Sequence, residues 1–186
     1  RKGPVWIDIP LNVQRANVNE KKLRGFNLKS PIRKYSNSKI KKDFKKILKI
    51  LQKSRSPILI LGHGVKQSEK ILEIKKIINK LKIPVIFTRF TNDLVSHDQN
   101  YIYGISGIKA TKFSKKIMNN SDLALSFGCR FSPQFVGHEY KALENAKVIS
   151  VDIEKDELKK KGQKIDIPLN YDLKYFIPSF YKFIKN

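Results

Sequence analysis

Cysteine is nearly absent from this chain. The single Cys129 among 186 residues excludes an internal disulfide framework and fits a reducing compartment, so the expected location is cytoplasmic. Histidine is scarce as well, and His63, His97 and His138 stand at no metal-ligand spacing, which removes a zinc site. Glycine and proline number only nine and eight, too few for a low-complexity or collagen-like chain. No apolar run reaches the roughly 18 residues of a spanning helix, and the first residues lack the basic-then-apolar order of an export signal. The chain therefore reads as soluble, with no membrane partner. Missing too are Gly-x-Ser-x-Gly, a Walker loop and Cys-x-x-Cys, so no catalytic residue and no metal ligand is assigned.

Acidic residues are few. Sixteen Asp and Glu against 39 Lys and Arg leave a net charge of +23, a value that invites a nucleic-acid reading. The excess is mostly lysine spread along nearly every helix, whereas arginine makes the bidentate phosphate and guanine contacts. Phe and Tyr are not interleaved with the charges in an RNP-like pattern. The basicity reads as a solvated surface, and no nucleic acid is expected as a partner.

What remains is an alternation of short apolar runs and amphipathic stretches. Residues 15–37, with Asn17, Asn19, Gly25, Asn27, Ser30, Pro31 and Ser36, carry little apolar periodicity and read as a linker. A helix capped by Ser38 and running to about Lys53 follows from the spacing of Ile40, Phe44, Ile47, Leu48 and Leu51. The runs Ile58–Leu61, Pro84–Phe87, Leu123–Phe127 and Val148–Ile153 predict buried strands, and Ile165–Leu169 a short fifth. Helices are predicted over Gln67–Lys82, Ala110–Asn119 and Leu173–Lys185, and residues 89–108 read as one long loop. Strands apolar on both faces, alternating with amphipathic helices, imply an α/β fold: a doubly wound, mostly parallel Rossmann-like sheet with helices on both faces.

Candidate sites lie at the carboxyl ends of these strands, where such sheets bind ligands. Gly62-His63-Gly64 follows the first strand; its glycines would let backbone approach a phosphate at the next helix, or simply make a tight turn, since position 67 is Gln where the fingerprint wants a third glycine. Arg130, after Gly128-Cys129, would face a phosphate or pair with an acid of a neighbouring loop. Asp152 would accept a ribose or cap a helix, though it lies far beyond the roughly 20-residue offset of the fingerprint acid. Cys129 reads as a buried filler. Asp93 and Asp98 share a loop and read as solvated or capping.

The order of these pieces resembles a known family. Gly3-Pro4-Val5-Trp6-Ile7-Asp8-Ile9-Pro10, a linker, a helix, a strand with Gly62-His63-Gly64-Val65, Ile83-Pro84-Val85, a loop with Gly104 and Gly107, Ser121-Asp122-Leu123, Gly128-Cys129-Arg130-Phe131, and Val151-Asp152-Ile153 are similar to the central domain of acetolactate synthase-like thiamine-diphosphate enzymes. The stretch from Gly128 to Gly137 and the ending Asp166-Ile167-Pro168-Leu169-Asn170 resemble relatives of surface-polysaccharide pathways more than the valine and isoleucine synthases. The resemblance implies that residues 1–14 end a preceding pyrimidine-binding domain, that 15–37 link, and that 38–186 form the central domain. It implies an enzyme in which thiamine diphosphate and Mg²⁺, bound by two other domains of a homodimer or homotetramer, decarboxylate or ligate a small 2-keto acid. The topology is that of the DHS-like NAD/FAD-binding folds. The family's positions for FAD or an ADP-like nucleotide fall on Gly62, His63, Gly64, Thr88, Gly104, Gly128, Arg130, Asp152 and Ile153, with His63 and Arg89-Phe90 departing from the FAD-binding pattern. The alternative is a stand-alone nucleotide-binding or sirtuin-like module, against which stands the lack of Gly-Ala-Gly-x-Ser and Cys-x-x-Cys.

Overall fold

The computed structural model describes residues 4–25, 35–96, 100–137 and 141–185. His97, Asp98 and His138 lie outside them. The chain divides into two units, one ending at residue 34 and one from Tyr35 onward.

In the first unit Val5–Ile9 carries no regular secondary structure. The segment is exposed and pairs with no strand among the described residues, because alternating apolar residues make a strand only when a neighbour supplies the ladder. A single helical turn, α1 (Leu11–Gln14), follows, with the Gln14 side-chain amide donating to Ile9 O at 2.7 Å. A 3-10 turn over Glu20–Lys22 comes next.

The second unit is built on six strands: β1 (Pro57–Leu61), β2 (Val85–Phe87), β3 (Ile102–Ile105), β4 (Leu123–Phe127), β5 (Lys147–Asp152) and β6 (Ile167–Asn170). They lie in the order β3-β2-β1-β4-β5-β6, and every adjacent pair is parallel. This is the order of the doubly wound dinucleotide folds, with its topological switch point between β1 and β4. The register runs Leu61↔Phe127 and Phe127↔Val151 at the carboxyl edge.

Alternate strand residues feed two cores. On one face Leu59, Leu61, Leu125 and Phe127 pack under α2 (Asn37–Leu51), α4 (Ile71–Leu81) and α7 (Leu173–Lys185). Phe44 of α2 meets Phe176 and Phe180 of α7 with ring centroids 5.2 Å apart, and Phe176 meets Phe127 at 5.4 Å. Each such fully buried ring stabilises by about 1.5–3 kcal/mol. On the other face Ile58, Ile60, Ala124 and Val148 pack with Met118 of α5 (Lys112–Asn119) and Phe135 of α6 (Pro133–Val136).

Three expectations need correction. The helix predicted over Gln67–Lys82 begins only at Ile71, as α4, and a separate short helix, α3 (His63–Gln67), precedes it. The break falls at Glu69, which has φ +61; the buried Ser68 hydroxyl donates to Val65 O and accepts from Lys70 N–H, turning the chain. The predicted loop over 89–108 contains a 3-10 turn at Arg89–Thr91 and the edge strand β3. Ser36, not Ser38, holds the N-cap position of α2.

Candidate functional site at the carboxyl edge

Each βα connection at the carboxyl edge is set by the end of a buried strand. Phe127 O accepts from Gly62 N–H at 2.9 Å, so the β1 loop leaves its strand still bonded to β4. Gly64 N–H then donates to Gly128 O at 3.1 Å. The two loops meet backbone to backbone at these glycines. A Cβ on Gly62 would stand 2.1 Å from Gly128 O, and one on Gly64 would stand 2.9 Å from Gly128 Cα. Gly128 itself has φ +61, and its Cβ would meet Gly64 Cα at 2.7 Å and Leu173 Cδ1 at 2.8 Å. Gly62, Gly64 and Gly128 are thus brought together, each too close to its neighbours to carry a side chain.

The other expected residues are more scattered. His63 is exposed at the start of α3, its ring edge-on to Phe90 at 5.9 Å. Thr88 opens the turn after β2; its N–H donates to Leu61 O, and its hydroxyl lies 3.2 Å from that of the buried Thr91. Gly104 lies in β3 with φ +78 and open space around its Cα. Arg130 pairs through Nε with Glu157 Oε1 at 2.7 Å, and Lys160 Nζ joins Glu157 Oε2 at 2.7 Å. Lys160 also donates to Arg130 O. Of the two readings of Arg130, the structure contains the pairing with an acid of a neighbouring loop.

Asp152 is buried at the end of β5, where its Oδ1 accepts Glu154 N–H at 2.9 Å. Its carbonyl accepts Asn170 Nδ2 at 3.0 Å, and Ile153 O accepts the same nitrogen at 2.8 Å. Cys129 is buried, and burial pushes its thiol up to about 12, which makes it a filler and no nucleophile at neutral pH.

Other groups at this edge left no mark in the sequence. Glu157 carries no motif, and its role depends on the fold of the β5–β6 crossover. Gly107 does leave a signal, as a loop glycine. Its φ is +101, and a Cβ there would stand 2.0 Å from Gln134 O, so it is the residue that seats the β3–α5 loop on α6. An open hollow of about 410 Å³ is lined by Lys66, Arg89, Phe90, Asn92 and Asp93. Within it Lys66 Nζ lies 2.6 Å from Asp93 Oδ2, and the hydrogen bond from Lys66 holds the Asp93 carboxyl below its usual range. Among the described residues no group of His, Cys, Asp or Glu is placed to hold a metal ion, and no helix is long and apolar enough to cross a membrane.

Comparison with known proteins places this edge in context. Residues 44–180 match the family described as thiamine pyrophosphate enzyme, central domain. The chain is 30% identical over 184 residues to a probable acetolactate synthase large subunit of Methanococcus aeolicus, covering 98% of this chain and 30% of that protein. It is 29% identical over 174 residues to the acetolactate synthase large subunit of Lactococcus lactis, covering 94% and 30%. Against the isozyme 1 large subunit of Escherichia coli it is 27% identical over 160 residues, covering 86% and 27%. The chain therefore spans about three tenths of the length of these relatives. With the six-stranded parallel sheet and a match over most of its length, this chain belongs to the central-domain family of the thiamine pyrophosphate enzymes.

Proposed function

We propose that the whole protein carrying this sequence is a thiamine-diphosphate-dependent 2-keto acid decarboxylase or carboligase of the acetolactate synthase type. In this reading the domain described here is its structural middle. The observation that carries the proposal is the family match over residues 44–180, joined to alignments with synthase large subunits over nearly all of this chain. Residues 1–14 then end a pyrimidine-binding domain, 15–37 link, and 38–186 form the central domain.

Thiamine diphosphate with Mg²⁺, held by the two flanking domains, supplies the electron sink for decarboxylation. The catalytic groups belong to those domains. This domain contributes a rigid parallel sheet on which they are placed, within a homodimer or homotetramer in the cytoplasm. The substrate is a small 2-keto acid.

The test is an assay of the full natural polypeptide with thiamine diphosphate, Mg²⁺ and pyruvate. The expected result is CO₂ release dependent on both thiamine diphosphate and metal, with acetolactate as the carboligation product. Saturable binding of thiamine diphosphate with no turnover of pyruvate or other short 2-keto acids would sink the proposal.

A further inference from the structure

Doubly wound folds hold the pyrophosphate of a nucleotide on free backbone N–H groups at the loop after the first strand. Here most of those donors already have partners. Of the four amides from Gly62 to Val65, three are bonded within the protein: Gly62 to Phe127 O at 2.9 Å, Gly64 to Gly128 O at 3.1 Å, and Val65 to Gly62 O at 2.9 Å. Across the switch point, Gly128 N–H donates to Val151 O at 2.9 Å. The helix after Gly62 is only five residues long, so few aligned peptides back its first turn with a dipole.

The glycines also have a reason to be glycine that involves no ligand. Gly62, Gly64 and Gly128 meet backbone to backbone, at separations where any Cβ would collide with protein atoms, and Leu173 Cδ1 closes the same spot. The groups that would complete a nucleotide site are engaged as well. The Arg130 guanidinium is on Glu157, and Asp152 Oδ1 accepts Glu154 N–H. The residues present therefore do not fit a pyrophosphate at the switch point.

We infer that this central domain holds no dinucleotide or nucleoside diphosphate there, and that its glycine loops are a backbone latch joining the β1 loop to the β4 loop across the switch point. The family's FAD or ADP-like ligand is thus disowned by the chain's own donor set, and the domain braces its enzyme without one.

The test uses the full natural polypeptide, purified without added nucleotide and kept saturated with thiamine diphosphate and Mg²⁺ so that those sites are filled. Flavin released by acid is measured by fluorescence and adenine nucleotide by chromatography; FAD and ADP are then titrated while the melting temperature is followed. The expected result is sub-stoichiometric flavin and adenine, with no saturable shift from either ligand. Stoichiometric flavin or ADP, or a saturable rise in melting temperature, overturns the inference. Gly64→Ala in the same polypeptide is expected to lower the melting temperature by several degrees, a loss that excess FAD does not restore. An unchanged melting temperature overturns the latch, and recovery with FAD overturns the absence of a ligand. None of these readouts uses turnover, so failure of the thiamine reading and failure of this one are separately visible.

Discussion

Cys129 and Asp122 are two side chains whose surroundings change their chemistry in opposite directions. The Cys129 thiol is buried, and burial pushes it up to about 12, so almost none is thiolate near pH 8. A disulfide reagent such as DTNB should leave the folded chain untouched and titrate one thiol after guanidinium unfolding. Reaction of the native protein within minutes would mean that the loop from Gly128 to Ser132 opens readily. Asp122 behaves in the opposite way. Slight burial works to raise its carboxyl, but the Ser54 hydroxyl and the Arg55 and Ser56 amides outweigh that and hold it below its usual range. The carboxylate thereby ties the start of β4 to the approach to β1. Because the folded value is the lower one, this stabilisation is present above the ordinary carboxylate range and is lost as pH falls through the folded value. Asp122→Asn should cost about 1 kcal/mol at pH 7, less than a buried charged hydrogen bond because the group is exposed. The difference from wild type should shrink below about pH 4, and denaturant titrations at the two pH values check it. An equal deficit at both would place the cost in shape and not in charge.

At the scale of elements, legibility in the sequence followed burial. Pro57–Leu61, Leu123–Phe127 and Lys147–Asp152 are almost wholly buried strands, and their short apolar runs announce them even where Ser126 and Ser150 interrupt them. The helix Leu173–Lys185 was readable end to end from its stripe of Leu173, Phe176, Ile177, Phe180 and Ile184, even with Pro178 inside it. Edge strand β3 was not readable. It is four residues long with Gly104 at φ +78, and its identity depends on Val85 and Phe87 lying beside it. The split between α3 and α4 was hidden because the apolar stripe resumes at Ile71 after the break. At the candidate site, the sequence showed which residues would reach the carboxyl edge but not what they would touch. That Arg130 meets Glu157, and that three glycines meet one another, are facts of packing between distant segments. The end of α4 offers a direct experiment. Its C-cap, Lys82, takes the left-handed conformation at φ 52, ψ 38, which glycine adopts without the Cβ penalty. Lys82→Gly should stabilise the protein by about 0.5–1 kcal/mol. A loss of stability would show that the Lys82 side chain packs usefully, a result that thermal melts of the pair would reveal at once.

Over the whole molecule, charge of one sign is the dominant imbalance. With a formal net charge of +23, like charges crowd single helices. In α2, Lys41 and Lys45, Lys42 and Lys46, and Lys45 and Lys49 stand one turn apart, and the only acid of that helix, Asp43, accepts a hydrogen bond from Tyr171 at 2.6 Å. Each like-charged pair at this spacing destabilises by about 0.2–0.5 kcal/mol at low salt. The ion pairs that oppose this, such as Lys66–Asp93 and Lys164–Asp166, include strongly exposed partners and contribute little. Repulsion therefore wins, and it is screened as the Debye length falls from about 30 Å at 0.01 M to about 3 Å at 1 M salt. The melting temperature should rise between those limits in sodium chloride, a salt chosen because sulfate would also strengthen apolar burial. Lys45→Glu should imitate the effect of salt, since it turns two repulsive neighbours, Lys41 and Lys49, into attractive ones. Its gain should be clear at low ionic strength and vanish at high. A melting temperature that falls with chloride, or a Lys45→Glu gain that survives 1 M salt, would show that paired charges outweigh the excess and that the lysine coat is more than a solvated surface.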